Sequence, residues 1–300
     1  MPKTVFGKPM AEVRLKLLPV EKATLYYAGI TAVYMCVFAG RIDALWMHFG
    51  VRAAVVIAII LLARLSHREK AVSLRPAINT VRYVLPFAML SYWYPETSCY
   101  NECIFSNLDR HFVAADEILF GCQPSLVFSD RLPQAWMSEL MYFGYFSYYF
   151  IFFGTALWCY VRRKDLADKA AFIFVGSFYC YYLIFIVFPV TGPQFYFEPP
   201  FSEAPDGYLF CDIMRFLQAI AEKPTGAFPS SHVGIAFAVV IFVSRHCRRL
   251  FPYVLPLFVV LVCSTVYIKA HYVVDIIAGF ASVAMIYPLM DKMWKIAKCR

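Results

Sequence analysis

The sequence predicts an all-α fold, a polytopic membrane helix bundle with about eight transmembrane helices. Two properties of the 300-residue chain indicate it: 61% of the residues are hydrophobic, and only 16% are charged. A soluble protein of this length cannot bury so much apolar surface. The third observation is a series of apolar runs, since a helix of about 20 mostly apolar residues crosses the bilayer.

Eight apolar runs follow one another along the chain. They lie near residues 23–40, 45–63, 78–95, 136–160, 170–190, 229–244, 251–268 and 271–290. The first follows a basic tail and has no convincing cleavage site, so we interpret it as an uncleaved span. The second and third contain Arg52 and Arg82, and we expect these helices to be tilted or to extend the arginine to an interface.

The distribution of Lys and Arg predicts the orientation. With the N-terminus inside, the inner segments hold 21 of the 28 Lys and Arg. These segments are 1–22, 64–82, 161–170, 244–250 and 291–300. Because positive residues favour the cytoplasmic side, both termini are expected there, and the compact chain fits a bacterial inner membrane. The net charge of +8 then reflects topology, so the bilayer is the expected partner and nucleic acid is not.

The two long outer loops, 96–135 and 191–228, contain polar stretches with apolar islands. We expect them to pack back onto the bundle as interfacial or re-entrant pieces. Glu139, at the outer end of the fourth span, is either functional or hydrated. Four outer cysteines have access to an oxidising compartment, which permits disulfides, although free cysteines are the simpler reading. They are Cys99, Cys103, Cys122 and Cys211.

A polar cluster begins the sixth span, where the chain enters the membrane from outside. It reads GAFPSSHVGI (226–235). We expect Pro229 at the first helical position, where its missing amide hydrogen has no cost. Ser230 and Ser231 follow, so this helix start offers hydroxyls, free N–H groups and the positive end of the helix dipole. Such a start binds anions, and His232 lies in the same turn.

A second cluster lies where the seventh and eighth spans meet, in STVYIKAHYVVDIIAG (264–279). His271 and Asp275 are four residues apart, so on a helix they share a face, and the carboxylate can fix the tautomer of the imidazole. Lys269 is the only cation of this short outer turn. Together with His232 and its helix start, these residues predict phosphoryl transfer through a phosphohistidine.

The two clusters resemble the second and third motifs of the type 2 phosphatidic acid phosphatase superfamily of membrane lipid phosphatases. The matching residues are PSSH and the pattern S-T-x5-H-Y-x-x-D. The resemblance implies a six-helix catalytic core built from spans three to eight. DEILFGCQPS (116–125) and GAFPSSH also resemble the branch that contains the inositol phosphorylceramide synthases, the aureobasidin targets.

The resemblance implies a role for each residue of the clusters. His271 would attack phosphorus, Asp275 would orient it, and His232 would protonate the leaving oxygen. The phosphate oxygens would be held by Ser230, Ser231, Lys269 and Gln194. This chemistry needs no cofactor. We expect no metal either, because DRHFVAADE (109–117) has a single histidine with scattered carboxylates.

The sequence departs from the superfamily at its first motif, a lysine followed six residues later by Arg-Pro. The fifth span has no Lys or Arg before Pro189, and Gln194 stands where a cation is expected. The usual Ser-Arg of the third motif is Ser264-Thr265. Lys269 would replace that arginine, although an interfacial lysine also commonly snorkels. Head-group transferases also lack the first motif, which favours a transferase.

We therefore expect residues 1–76 to form a cytoplasmic tail with two accessory helices, and 77–300 to form the catalytic domain. The substrate would be a lipid phosphate, met at the non-cytoplasmic face. Hydrolysis is the first interpretation, because water is always available there, and head-group transfer as in inositol phosphorylceramide synthases is the alternative. A non-catalytic lipid transporter or scaffold is disfavoured, because both histidines and Asp275 are kept. The head group and the oligomeric state are left open by the sequence.

Overall fold

The computed structural model describes residues 16–68 and 72–299, and 79% of it is helical. These ranges contain no strand, which confirms the all-α prediction. Most of the predicted basic tail lies outside the described residues.

Thirteen α-helices occur in the described ranges. Each of the eight predicted apolar runs coincides with one of the longer helices, except that the run 136–160 coincides with two helices joined end to end. In chain order they are α1 (Pro19–Val37), α2 (Leu45–His67), α3 (Arg75–Glu96), α4 (Asp109–Phe120), α5 (Pro124–Arg131), α6 (Ala135–Tyr149), α7 (Thr155–Arg162), α8 (Lys164–Val187), α9 (Pro193–Tyr196), α10 (Leu209–Ala221), α11 (Ser231–His246), α12 (Phe251–Tyr267) and α13 (Val273–Cys299). A π-helical turn, Phe150–Gly154, joins α6 to α7 in one rod. Four elements are long and apolar enough to cross a membrane: α2, the α6–α7 rod, α8 and α13. The count of eight crossings stays a prediction.

Helix α8 lies at the centre of the bundle and packs against α1, α3, α7, α11 and α13. Its apolar residues point in all directions, as expected for a helix surrounded by others. Phe174 and Phe185 are fully buried, and Tyr181 is nearly so. Helix α11 packs against α8, α12 and α13, so the two motif-bearing helices, α11 and α13, lie side by side.

Buried ion pairs join α1, α2 and α3. The Arg52 guanidinium donates to both carboxylate oxygens of Glu96, at 2.7 and 2.9 Å, and His48 Nδ1 lies 2.8 Å from the same carboxylate. The Arg82 guanidinium donates to both oxygens of Glu21 at 2.7 Å. Both arginines are only 4% exposed, so neither side chain extends out of the bundle, and the position of these helices relative to the membrane stays a prediction. Each finds a carboxylate on a neighbouring helix, which is how charge at membrane depth is usually accommodated.

The outer loops fold into short helices that pack onto the bundle, as expected. In the first loop, α4 packs against α13 and α5 against α12. In the second, α10 packs against α6. The four outer cysteines form no disulfide: Cys103 and Cys211 are buried, while Cys99 is exposed and Cys122 is half-buried.

Removing one partner of a buried ion pair is expected to destabilise the bundle strongly. Glu96→Ala leaves the Arg52 charge buried without its carboxylate, so the free energy of unfolding should fall by about 3–5 kcal/mol. The control is Asp165→Ala, which removes a carboxylate paired with Arg163 on the surface. Such exposed pairs contribute little, so the control should leave stability unchanged. Thermal unfolding in detergent compares the two variants, and equal effects would contradict the proposed importance of the buried pair.

Candidate active site

The start of α11 forms one half of the site. Ser230 is the N-cap residue, and its Oγ accepts the N–H of Val233 at 3.3 Å. Pro229 lies before this cap, so the expectation that it takes the first helical position is wrong. Among the described residues, the N–H groups of Ser231 and His232 have no acceptor. The helix start therefore keeps two free donors for an anion.

The turn between α12 and α13 forms the other half and carries His271. The Nδ1 of His271 lies 2.9 Å from the carbonyl oxygen of Ala227, an acceptor, so Nδ1 carries the proton and donates. The Asp275 carboxylate is 3.6 Å from Nδ1, and its Oδ2 accepts the N–H of Tyr272 at 2.9 Å. The direct hydrogen-bond partner of His271 is thus the Ala227 carbonyl. Asp275 shapes the turn and lies beside the ring.

The structure brings the two predicted histidines into contact. Nδ1 of His232 lies 3.3 Å from Nε2 of His271. Because His271 is protonated on Nδ1, its Nε2 carries a lone pair, and His232 supplies the proton between them. The His232 ring is held by the rings of Tyr145 and Tyr148, each with its centroid 4.7 Å away. A ring nitrogen with a lone pair and a ring N–H donor therefore face each other.

Burial sets the charge state of His271, whose side chain is 3% exposed. Burial lowers the pKa of His271 to about 4, although the hydrogen bond to the Ala227 carbonyl and the nearby Glu222 carboxylate both raise it. The imidazole is therefore neutral near pH 7. A neutral ring with a free lone pair is the form that attacks phosphorus.

Lys269 lies near the histidines in sequence, but its ammonium group serves the second outer loop. Nζ donates to the carbonyl oxygens of Phe201 and Glu203, at 2.8 and 2.7 Å. The backbone of Lys269 has a φ of 65°, the left-handed region that non-glycine residues rarely adopt. Burial lowers the pKa of Lys269. Its role in this arrangement is to hold the loop.

A half-buried carboxylate, Glu222, lies near His271 and was missed by sequence reasoning. Its Oε2 accepts hydrogen bonds from Gln194 Nε2 at 2.7 Å and Gln218 Nε2 at 3.2 Å, and its Oε1 accepts from the Tyr145 hydroxyl at 3.0 Å. Burial raises the pKa of Glu222, while these hydrogen bonds lower it. Gln194 is therefore joined to this network. The only feature of the sequence that could have indicated Glu222 is its spacing from Gln218, four residues earlier on an amphipathic stretch.

Three further carboxylates position the outer segments. Asp116 accepts the N–H groups of Val273 and Val274, at 2.9 and 3.0 Å, at the start of α13. Asp109 accepts the backbone N–H groups of residues 191 and 192, both at 2.8 Å. Glu139 accepts three backbone N–H groups at the start of α10. Two of the three acids of the 109–117 stretch, Asp109 and Asp116, are thus bound to backbone, and the described part of the chain contains no cluster of three metal-ligating side chains.

An outer cavity of about 620 Å³ opens between residues 200–206 and α10. Gln194 and Gln218 form part of its wall, so it reaches the side chains that bind Glu222. Arg215, also on the wall, is paired with Asp206 at 2.6 Å.

A family model described as the PAP2 superfamily matches residues 110–289, more than half of the chain. The matched range contains His232, His271, Asp275 and Glu222, whereas α1, α2 and α3 precede it. No curated protein and no solved structure matches the chain. The finer resemblance to the inositol phosphorylceramide synthase branch stays a prediction.

Asp116 is expected to stabilise the protein through the start of α13. Asp116→Ala leaves two buried N–H groups without their acceptor, so the free energy of unfolding should fall by about 1–3 kcal/mol. The matched control is Glu117→Ala, because Glu117 is the exposed acid next in sequence. Thermal unfolding in detergent measures both. If the stability of Glu117→Ala falls as far as that of Asp116→Ala, the loss comes from a change in α4 itself and not from the contact with α13.

Proposed function

The chain belongs to the PAP2 superfamily, and on that premise we propose that it transfers phosphoryl groups from a lipid phosphate through a phosphohistidine on His271. Superfamily membership indicates phosphatase-type activity on phosphate esters, and the apolar helices indicate an integral membrane protein. The lipid substrate, the covalent intermediate and the independence from metal are parts of our proposal. Hydrolysis is the reaction that we propose first.

One observation carries the proposal: the hydrogen bonding of His271 leaves a lone pair on Nε2, opposite a proton donor. Nδ1 is occupied by the Ala227 carbonyl at 2.9 Å, and Nε2 faces His232 at 3.3 Å. A histidine that only stabilised the fold would have both nitrogens bound by permanent partners. Here the second partner is itself a titratable group on the first turn of another helix.

The chemistry follows from this geometry. In the substrate complex His232 is the imidazolium, with a proton on each ring nitrogen. Nε2 of His271 attacks phosphorus, the bond from phosphorus to the leaving oxygen breaks, and His232 gives one of its two protons to that oxygen and becomes neutral. In the second step His232 takes a proton from water, the resulting hydroxide attacks phosphorus, and the bond from phosphorus to Nε2 breaks. Inorganic phosphate leaves, and both rings return to their starting protonation states.

The developing charge on phosphate would be stabilised by the start of α11. The free N–H groups of Ser231 and His232 and the helix dipole point to one region, and the Ser230 hydroxyl lies at the same end of the helix. Preorganised donors of this kind commonly provide the largest single contribution to catalysis. We propose that Lys269 and Gln194 act on this site indirectly, through the second outer loop and Glu222.

The two histidine rings are too close together for the reaction. In a reactive complex the attacking atom and its target are about 3–3.5 Å apart, and the leaving oxygen lies beyond phosphorus. A nitrogen-to-nitrogen distance of 3.3 Å leaves no space for phosphorus between the rings. Substrate binding must therefore separate His232 from His271. We infer that the lipid phosphate enters from the non-cytoplasmic face, with both termini in the cytoplasm of a bacterial cell.

Head-group transfer, as in the inositol phosphorylceramide synthases, is the second candidate. The network of Glu222, Gln194 and Gln218 favours it, because carboxylate and carboxamide groups beside an open cavity suit an acceptor with hydroxyl groups. In that case the acceptor hydroxyl, instead of water, gives its proton to His232 and takes the phosphoryl group. The two candidates use the same residues in the first step and differ in the product.

The proposed role of His271 as the nucleophile can be tested directly. His271→Ala should abolish turnover in the presence of EDTA, because no other nitrogen is placed to attack phosphorus. The control is His111→Ala, which removes an exposed outer-loop histidine. The assay supplies a lipid phosphomonoester alone, then a phosphoinositol lipid with ceramide. After brief incubation with a ³²P-labelled donor, the wild type should retain an acid-labile, base-stable label, and the His271 variant should retain none.

The products separate the candidates. Free phosphate supports hydrolysis, and a new head-grouped sphingolipid supports transfer. A label that persists in the His271 variant would overturn the assignment of the nucleophile. A wild type that forms neither product nor label from these donors would favour the non-catalytic lipid transporter or scaffold.

A further prediction concerns the effect of Glu222 on the pH dependence of activity. The negative charge of Glu222 raises the pKa of His271, so Glu222→Gln should lower that pKa while it keeps the size of the side chain and one acceptor oxygen. Since activity requires neutral His271, the acid limb of kcat/KM, which reports the free enzyme, should move to lower pH. Glu198→Gln, an exposed outer carboxylate, is the control with the same charge change. An acid limb that moves upward or stays in place in Glu222→Gln would contradict the assigned coupling.

A further inference from the structure

The end of the bundle opposite the histidines contains a second large cavity, of about 920 Å³. Its walls come from the starts of α1, α3 and α8 and from the ends of α2, α7 and α13. Helix α13 begins at Val273, beside His271, and reaches this cavity at Trp294, a distance of about 32 Å along the helix. The cavity is therefore separate from the site described above.

The walls of this cavity carry an excess of positive charge. Arg82 is neutralised by Glu21, and Asp165 is paired with Arg163. In the part of the chain that the structure describes, five other cations on the walls form no ion pair, and one carboxylate, Asp168, stands among them. These cations are Lys16, Lys22, Arg75, Lys164 and Lys298.

The cavity also has features of a built site. Nε of Arg75 is buried and has no hydrogen-bond partner among the described residues, although an unpaired buried donor is costly. Aromatic rings of Tyr83, Tyr160 and Trp294 line the cavity between the cations. The Tyr160 hydroxyl lies 2.6 Å from that of Thr80, which fixes this part of the wall. Charged donors above aromatic and apolar walls suit a ligand with an anionic head and an apolar body.

We propose that this cavity binds a phosphate-bearing anion, which is either the head group of an anionic lipid of the inner leaflet or a soluble phosphate ester. Arg75 would donate through its unpaired Nε, and Lys164 and Lys22 would contact the phosphate from the neighbouring helices. Anionic lipids of this leaflet attract Lys and Arg clusters close to the membrane. The proposal does not depend on the reaction at the histidines.

The test measures binding to the full-length protein in detergent by native mass spectrometry and by thermal shift. The ligands are phosphatidylglycerol, zwitterionic phosphatidylcholine and soluble glycerol 3-phosphate. The double variant Arg75→Gln/Lys164→Gln should bind the preferred anion about ten-fold more weakly, as expected for two lost cationic contacts. The control is Arg248→Gln/Arg249→Gln, which removes two cations outside this cavity, on another group of helix ends. Both double variants keep the histidine site unchanged, so any ligand bound at that site contributes equally to the two measurements.

The outcomes identify the ligand source. Tight binding of phosphatidylglycerol alone supports a lipid head group, and equal binding of glycerol 3-phosphate supports a soluble ester. Lys298→Gln, at the exposed end of α13, should weaken binding to a smaller extent and keeps the test valid if the double variant folds poorly. Equal losses in the control, or equal affinity for phosphatidylcholine, would overturn the proposal.

Discussion

The start of α13 is held by a carboxylate from another segment, and the geometry of the histidine pair depends on that contact. Asp116 accepts the N–H groups of Val273 and Val274, which no residue inside the helix can accept. The turn that carries His271 immediately precedes them. On the other side, the N–H of Ser230 donates to the Asp275 carbonyl at 3.0 Å. The two helix starts that form the site are thus fixed to each other through backbone groups.

This backbone framework explains how a buried site can still open. His271 is fixed at Nδ1 by a carbonyl, whereas His232 is positioned mainly by the faces of two tyrosine rings. Contact with the face of a ring constrains the orientation of a side chain less than a hydrogen bond does. The proposed separation of the rings would therefore move His232 between Tyr145 and Tyr148, while the hydrogen bond to Ala227 keeps the tautomer of His271.

Much of the fold and part of the site follow from the sequence alone. The apolar runs predict the helices because burial in a bilayer or bundle depends on local composition. The spacing around His232 and His271 predicts one site because both lie at helix starts on one face. Asp116 and the partners of Arg52 were not predictable in this way. Asp116 binds an N–H group 157 positions away, and Arg52 binds Glu96, 44 positions away, so only the packing of the helices brings them together.

The charge balance at the histidines separates the substrate classes that the sequence left open. Lys269 is bound to two loop carbonyls and Arg215 is paired with Asp206, so the donors left for a phosphate are the N–H groups at the α11 start, with the Glu222 carboxylate near His271. A phosphomonoester carries close to two negative charges near pH 7, and the second charge repels an ionised Glu222 without a cation to offset it. A phosphodiester carries one charge and fits the α11 start at lower cost. For the proposed reaction, this charge balance favours a diester donor over a monoester. It does not distinguish the acceptors, because water and a hydroxyl group would use the same residues in the first step.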